Sequence, residues 1–205
     1  MSRQGPAPRE ELNTGEVTEP RESASLILLR DSPAGPELLL VQRNPEQRFM
    51  GGAWVFPGGS THRDDGDELR TARRELEEEA GIELPPDAEL VRYSRWITPA
   101  QVKTRFDTHF FLARAPQGAE PRVDGSECVG ARWVRPADAL EAGRRGELKL
   151  VFPTIKHLEQ LAEHVTVEDA LASARSRRVM PVEPALLVEG GVARVLLPGE
   201  PGYER

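Results

Sequence analysis

Between Arg74 and Gly81 the chain reads RELEEEAG, four glutamates in eight residues. Advancing about 100° per residue from Leu69 puts Leu76 and Ala80 within roughly 20° of it, and Glu75, Glu78 and Glu79 together between roughly 180° and 280°. A helix here carries three carboxylates on one face, beside its buried stripe. Carboxylates at a helix C-terminus oppose the macrodipole, and like charges three or four residues apart repel. A hard divalent cation, Mg²⁺ or Mn²⁺, cancels both costs, since such ions take one or two carboxylates together with water and phosphate oxygens. Glu77 lies on another side and is expected to pair with Arg73, while Arg74 is expected to hold a glutamate by a charge-assisted bond.

An acidic run on a helix is most often only a solvated face. The loop before this one, FMGGAWVFPGGS, changes the balance, because four glycines and a proline beside aromatic residues permit close approach of backbone to a ligand. Gly58 and Gly59 are the residues expected to make that approach. The elements that must position loop and helix are legible from pattern. SLILLR and ELLLVQR (residues 25–30 and 37–43) are apolar runs joined by DSPAGP, which reads as a hairpin buried on both faces. From Leu69 to Ala80 the apolar spacing becomes helical, and Gly81 supplies a left-handed stop. Residues 89–98, 105–114 and 130–136 read as further strands, and residues 136–145, 153–164 and 167–177 as helices. PALLVEGGVARVLLP closes the chain as a hairpin turning at Gly190 and Gly191. Strands before and after one central helix predict a mixed sheet covered by helices.

At 205 residues the chain suits one domain with extensions. Residues 1–22, rich in Pro, Glu and Arg, are expected to form a flexible arm, residues 23–165 the domain, and residues 166–205 a helix and hairpin that either pack on the domain or make a homodimer contact. A formal charge of −7 argues against nucleic acid as a partner and against an anionic membrane surface, and favours a small-molecule ligand. Cys128 is the single cysteine, which excludes an intrachain disulfide and a cysteine-based zinc site. A polar N-terminus and the lack of a long apolar run predict a cytoplasmic protein.

The glutamate helix resembles the signature of the Nudix hydrolases. Arg74, Glu75, Leu76, Glu78, Glu79, Gly81 and Ile82 match its second half in full. Its first half departs: Gly59 to Arg74 is one residue longer, so the earlier glutamate of the signature falls on Asp65 counted from the glycine, or on Gly66 counted back from the helix. Upstream, Arg43, Arg48, Gly52 and Phe56-Pro57-Gly58-Gly59 resemble the extended pattern of the coenzyme A diphosphatase branch, with departures at Val41 and Asn44. Downstream, Trp96, Pro99, Arg105, Phe106, Asp107 and Thr108 resemble the same branch.

The resemblance implies an α/β/α sandwich with a mixed sheet and metal-dependent hydrolysis of a diphosphate bond. It implies Glu75, Glu78 and Glu79 as metal ligands, with Glu75 and Glu78 catalytic, and Glu127 as an additional acidic ligand or base. Arg43, Arg48 and Arg105, with Gly58 and Gly59, become substrate contacts, and Arg74 a positioning residue. Coenzyme A or an acyl derivative is the implied substrate. ADP-ribose or another nucleotide sugar is the alternative, and a nucleotide-sensing domain without turnover is the alternative of another class.

Overall fold

The computed structural model describes residues 4–6, 12–13, 15–189 and 192–203. In chain order the elements are β1 (Gln4–Pro6), β2 (Arg21–Arg30), β3 (Glu37–Arg43), β4 (Trp54–Val55), β5 (Gly58–Ser60), α1 (Glu68–Ala80), β6 (Val91–Ile97), β7 (Phe106–Arg114) and β8 (Cys128–Val134). They continue with α2 (Pro136–Arg144), α3 (Phe152–Leu161), α4 (Val167–Ser176), β9 (Pro181–Val182), β10 (Ala185–Glu189) and β11 (Val192–Leu196). The main sheet has the order β4-β3-β2-β7-β6-β9, with β5 also on β2 and β8 on β3. β2 with β7 and β6 with β9 are parallel, and the other pairs of this sheet are antiparallel, so the sheet is mixed as expected.

The apolar runs of β2 and β3 have no polar face because helices cover both sides. Ala24, Leu26 and Leu28 join Leu39 and Val41 in a core completed by Ala72, Leu76 and Ala80 of α1. Ile27, Leu29, Leu38 and Leu40 point the opposite way, against Ala139 of α2, Leu158 and Leu161 of α3 and Leu171 and Ala174 of α4. These two layers make the α/β/α sandwich. Burying one leucine stabilises by about 1.5–3 kcal/mol. A carboxylate at the wrong end of a helix costs about 0.3–1 kcal/mol when exposed and up to about 2 kcal/mol when partly buried. The stripe of α1 therefore outweighs its acidic end.

Asp67 caps the start of α1 by accepting from the Arg70 N–H at 2.8 Å, and Gly81, at φ 63°, ends it with its N–H on the Glu77 carbonyl at 2.8 Å. Arg73 does not pair with Glu77. It reaches past the helix end to the carbonyls of Pro85 and Ala88 at 2.9 and 2.7 Å, which pin the following loop.

The N-terminal segment expected as a flexible arm is tied down in its described residues. β1 pairs antiparallel with β11, Leu12 bridges Val102, and Thr18 donates to the Lys103 carbonyl at 2.6 Å. These are largely backbone pairings, which leave no apolar periodicity in the side chains. β10, β11 and β1 form a second, three-stranded sheet, and α4 buries Val167, Ala170, Leu171 and Ala174 in the domain core. The expected turn at Gly190 and Gly191 lies outside the described residues. Among the described residues no helix is long and apolar enough to cross a membrane.

A β-carbon on Gly81 would stand 2.9 Å from the Arg122 carbonyl oxygen, in a left-handed conformation. Gly81→Ala is expected to destabilise the fold by about 1–2 kcal/mol, measured by urea denaturation, and an unchanged midpoint would refute this account of the helix stop.

Candidate active site

Docking α1 against β2 brings its acidic face onto the glycines of β5. Glu79, 2% exposed, accepts from the Gly58 N–H at 2.9 Å and lies beside the buried Cys128 thiol. Glu75, 6% exposed, lies against Gly59, where any β-carbon would overlap its carboxylate. Gly58 is equally constrained, since a β-carbon there would come within 2.6 Å of the Ala24 carbonyl. The two glycines serve first to let the helix carboxylates rest on backbone.

Arg74 organises the next layer. Its Nη1 donates to Glu75 and to Glu78, both at 2.8 Å, and its Nε and Nη2 grip Asp65 at 2.8 and 2.9 Å. Asp65 also accepts from the His62 N–H and the Thr71 hydroxyl. The Arg74 guanidinium, foremost among these partners, holds its carboxyl far below the usual range. Of the two positions open from the signature, Asp65 is thus the one that answers Arg74; Gly66 forms a turn at φ 79°.

Burial pushes Glu79 up to about 7, with the neighbouring Glu75 adding to the shift and the Gly58 N–H opposing it. Burial likewise raises Glu75 against the pull of Arg74, with Glu78 and Glu127 contributing repulsion. Glu78 is more than half exposed, and Glu127 is an exposed loop residue facing the same space. Two carboxylates short of solvent and two with access to it make a donor set of hard oxygens. Glu75 and Glu78 turn to Arg74, and among the described residues no three acidic, histidine or cysteine groups already converge at ligand distance. The residues nevertheless fit a divalent cation, because Glu75 and Glu79 are buried with less positive charge nearby than their ionised forms require.

A cavity of about 1070 Å³ opens from this cluster. Glu75, Glu78, Glu79, Glu127, Arg43 and Arg74 line it together with Gly58 and Gly59. Arg43 approaches Glu79 at 3.9 Å and is steadied by the Phe49 carbonyl at 3.3 Å. Two expected contacts lie elsewhere. Arg48 is exposed on the loop and outside the lining. Arg105 is also outside the lining: its buried guanidinium is engaged by the Thr98 and Thr18 carbonyls at 3.0 and 2.7 Å and by Glu183 at 2.7 Å. It is a structural tie, since its donors face neighbouring segments of the chain.

Lys149, His62 and Met50 line the cavity without having been singled out as contacts. Lys149 reaches across to donate to the Gly51 carbonyl at 2.8 Å, a pairing over nearly a hundred residues that no local pattern reveals. Cys128 could have been suspected only as a buried thiol, its partner Glu79 being visible in three dimensions alone.

The chain matches the NUDIX domain over residues 19–154. It is 28% identical to a Caenorhabditis elegans protein carrying the name nudix hydrolase 7 over 189 residues, 73% of this chain and 63% of that protein. The NUDIX hydrolase from Alicyclobacillus acidocaldarius superposes with a TM-score of 0.69 at 28% identity, over 76% of this chain and 96% of that one. The NUDIX domain of Shewanella oneidensis NrtR, solved in complex with ADP ribose, is similar in fold, with a TM-score of 0.57 at 20% identity over 73% and 90% of the two chains.

Glu79 titrates at about 7 in the fold against an ordinary value of 4.5. Between these values the folded state binds more protons than the unfolded chain, so this group's contribution to stability falls as pH rises. Buried His157, lowered from 6.5 to about 3 by desolvation, acts in the opposite direction over an overlapping range. The readout is therefore a difference: with chelator present, the stability of the parent relative to Glu79→Gln is expected to decline from about pH 4.5 to 7. Parallel curves of melting temperature against pH would remove Glu79 as the source.

Proposed function

The chain belongs to the Nudix family, and on that premise we propose that it hydrolyses the diphosphate bond of a nucleoside diphosphate-linked metabolite, with coenzyme A or an acyl derivative as its substrate. The observation that carries this reading is one cavity of about 1070 Å³ in which Glu75, Glu78, Glu79 and Glu127 share the lining with Arg43 and a set of aromatic side chains. That volume stands just above the roughly 300–1,000 Å³ typical of small-molecule sites.

Nudix hydrolases use divalent metal ions, and here Glu75, Glu78 and Glu79 would hold Mg²⁺ or Mn²⁺. Bound there, the ion neutralises phosphate oxygens and lowers the pKa of a water. The chain's own groups do the rest. Arg43 offers forked donors to a phosphate that spans the cavity. Glu127, an exposed residue of the cavity lining, accepts a proton from the attacking water. Arg74 keeps Glu75 and Glu78 pointing to one side, and Asp65 fixes Arg74 in turn. Phe56, Trp96, Phe106 and Phe110 supply apolar walls that exclude water and accept flat or hydrocarbon parts of the substrate. The coenzyme A reading is supported by the arginine, glycine and FPGG pattern upstream of the helix. Any contact to its additional phosphate falls to Arg43 and Lys149, the cations in the lining besides Arg74, rather than to Arg48.

Purified protein with Mg²⁺ or Mn²⁺ should release two phosphorylated products from coenzyme A or acetyl-coenzyme A, resolved by chromatography, faster than from ADP-ribose or NADH. Glu78→Gln should lower turnover by about 10²-fold or more, with an unchanged melting temperature. A fully active variant would remove Glu78 from the chemistry. Binding of these nucleotides with turnover of none would assign the chain to sensing.

A further inference from the structure

The matched domain ends at residue 154, yet the cavity wall does not. Pro184, Leu186 and Val195, from the segment around β10 and β11, line the same cavity as the glutamates. We propose that these three side chains form a selectivity wall for the non-nucleotide end of the substrate, one that favours a nucleoside diphosphate whose second substituent finishes in a hydrocarbon chain. This deepens the hydrolase reading above and rests on it for the position of the diphosphate.

Placement comes from the sheet. Glu79 is bound to Gly58 of β5, which pairs with β2, whereas the C-terminal segment joins the sheet through β9 on β6, with Arg95 opposite Pro181 and Trp96 opposite Val182. From β5 through β2, β7 and β6 to β9 is four strand spacings, roughly 19 Å at about 4.8 Å each. An extended chain of about fifteen single bonds spans that distance. The wall is apolar, and Trp96, Val102 and Phe106 from β6, β7 and the turn between them extend it. It has nothing to offer a second sugar or phosphate, but each methylene it buries should tighten binding roughly fourfold.

The wall is also held in place. Glu183 binds the buried Arg105 guanidinium at 2.7 Å and receives the Tyr203 hydroxyl on its carbonyl at 2.8 Å, while the Leu186 N–H donates to the Gln101 side chain at 3.3 Å. Arg105 simultaneously grips Thr98 and Thr18, so one cation joins the β6–β7 turn, the N-terminal segment and the wall. Arg105 is thus a positioning residue for the wall, acting through Glu183.

The test uses the full chain, titrated calorimetrically in chelator with coenzyme A and its butyryl, octanoyl and lauroyl thioesters. Affinity should rise with acyl length in the parent. The slope should flatten in Leu186→Asp and in Val195→Asp, either of which suffices if the other fails to fold. Arg105→Gln should also flatten it and Arg105→Lys should recover part of it, a rescue that mere loss of stability would not produce. A parent that binds all four ligands equally, or folded wall variants that keep the parental slope, would overturn the proposal. A slope that depends on the wall in a protein that cleaves none of the ligands once metal is restored would uphold the wall and refute the hydrolase reading.

Discussion

Two carboxylates removed from water on one face of one helix set the terms for the rest of this structure. Glu75 and Glu79 are buried because Leu76 and Ala80, their neighbours on the helix, are drawn into the sheet. Once there, each must be served by whatever lies within reach: a backbone N–H, a thiol and the edge of a guanidinium. The cluster is far from neutral even so. Its raised carboxylates amount to an electrostatic demand for a cation, and the fold accommodates that demand through packing energy gained elsewhere on α1.

The layers explain how such a demand survives. β2 serves both cores at once, with alternate side chains committed to opposite helices, so it cannot shift without disturbing both. β5 is tied to β2 through Gly58, Gly59 and Ser60, and the Glu79 bond to Gly58 thereby refers the helix carboxylate to the strand packed on both faces. Rigid elements hold the acidic cluster, while loops bring Glu127 and the residues around Met50 to it.

What could be read in advance follows from which forces leave a trace in local pattern. The face shared by Glu75, Glu78 and Glu79, the stop at Gly81 and the doubly buried strands all express a period of 3.6 or an uninterrupted apolar run, and they came through. Arg74 was legible as a partner for glutamates, but its second grip, on Asp65, depended on a loop whose length departs from the signature. Arg73 and Arg105 answer to partners that local pattern does not show, for a common reason. A guanidinium goes to the nearest unsatisfied oxygens, and carbonyls such as those of Pro85, Ala88 and Thr98 have no residue type to announce them. The two-residue strands β4 and β9 and the backbone-paired N-terminus were invisible for the same reason. Lys149 and the wall residues belong to segments remote in sequence from the glutamates, so only tertiary structure joins them.

The antiparallel pairing of β1 with β11 brings the first and last of the described strands together, Gln4 opposite Arg194. Closing so long a loop costs more chain entropy than any pairing within the sandwich, by about 0.6 kcal/mol for each doubling of length, and such contacts form late in folding. The three-stranded sheet is thus expected to assemble on a sandwich already formed, and to fray before it. The cavity's C-terminal wall would share that order of events, giving the site a side that can open by local unfolding while the acidic cluster stays intact.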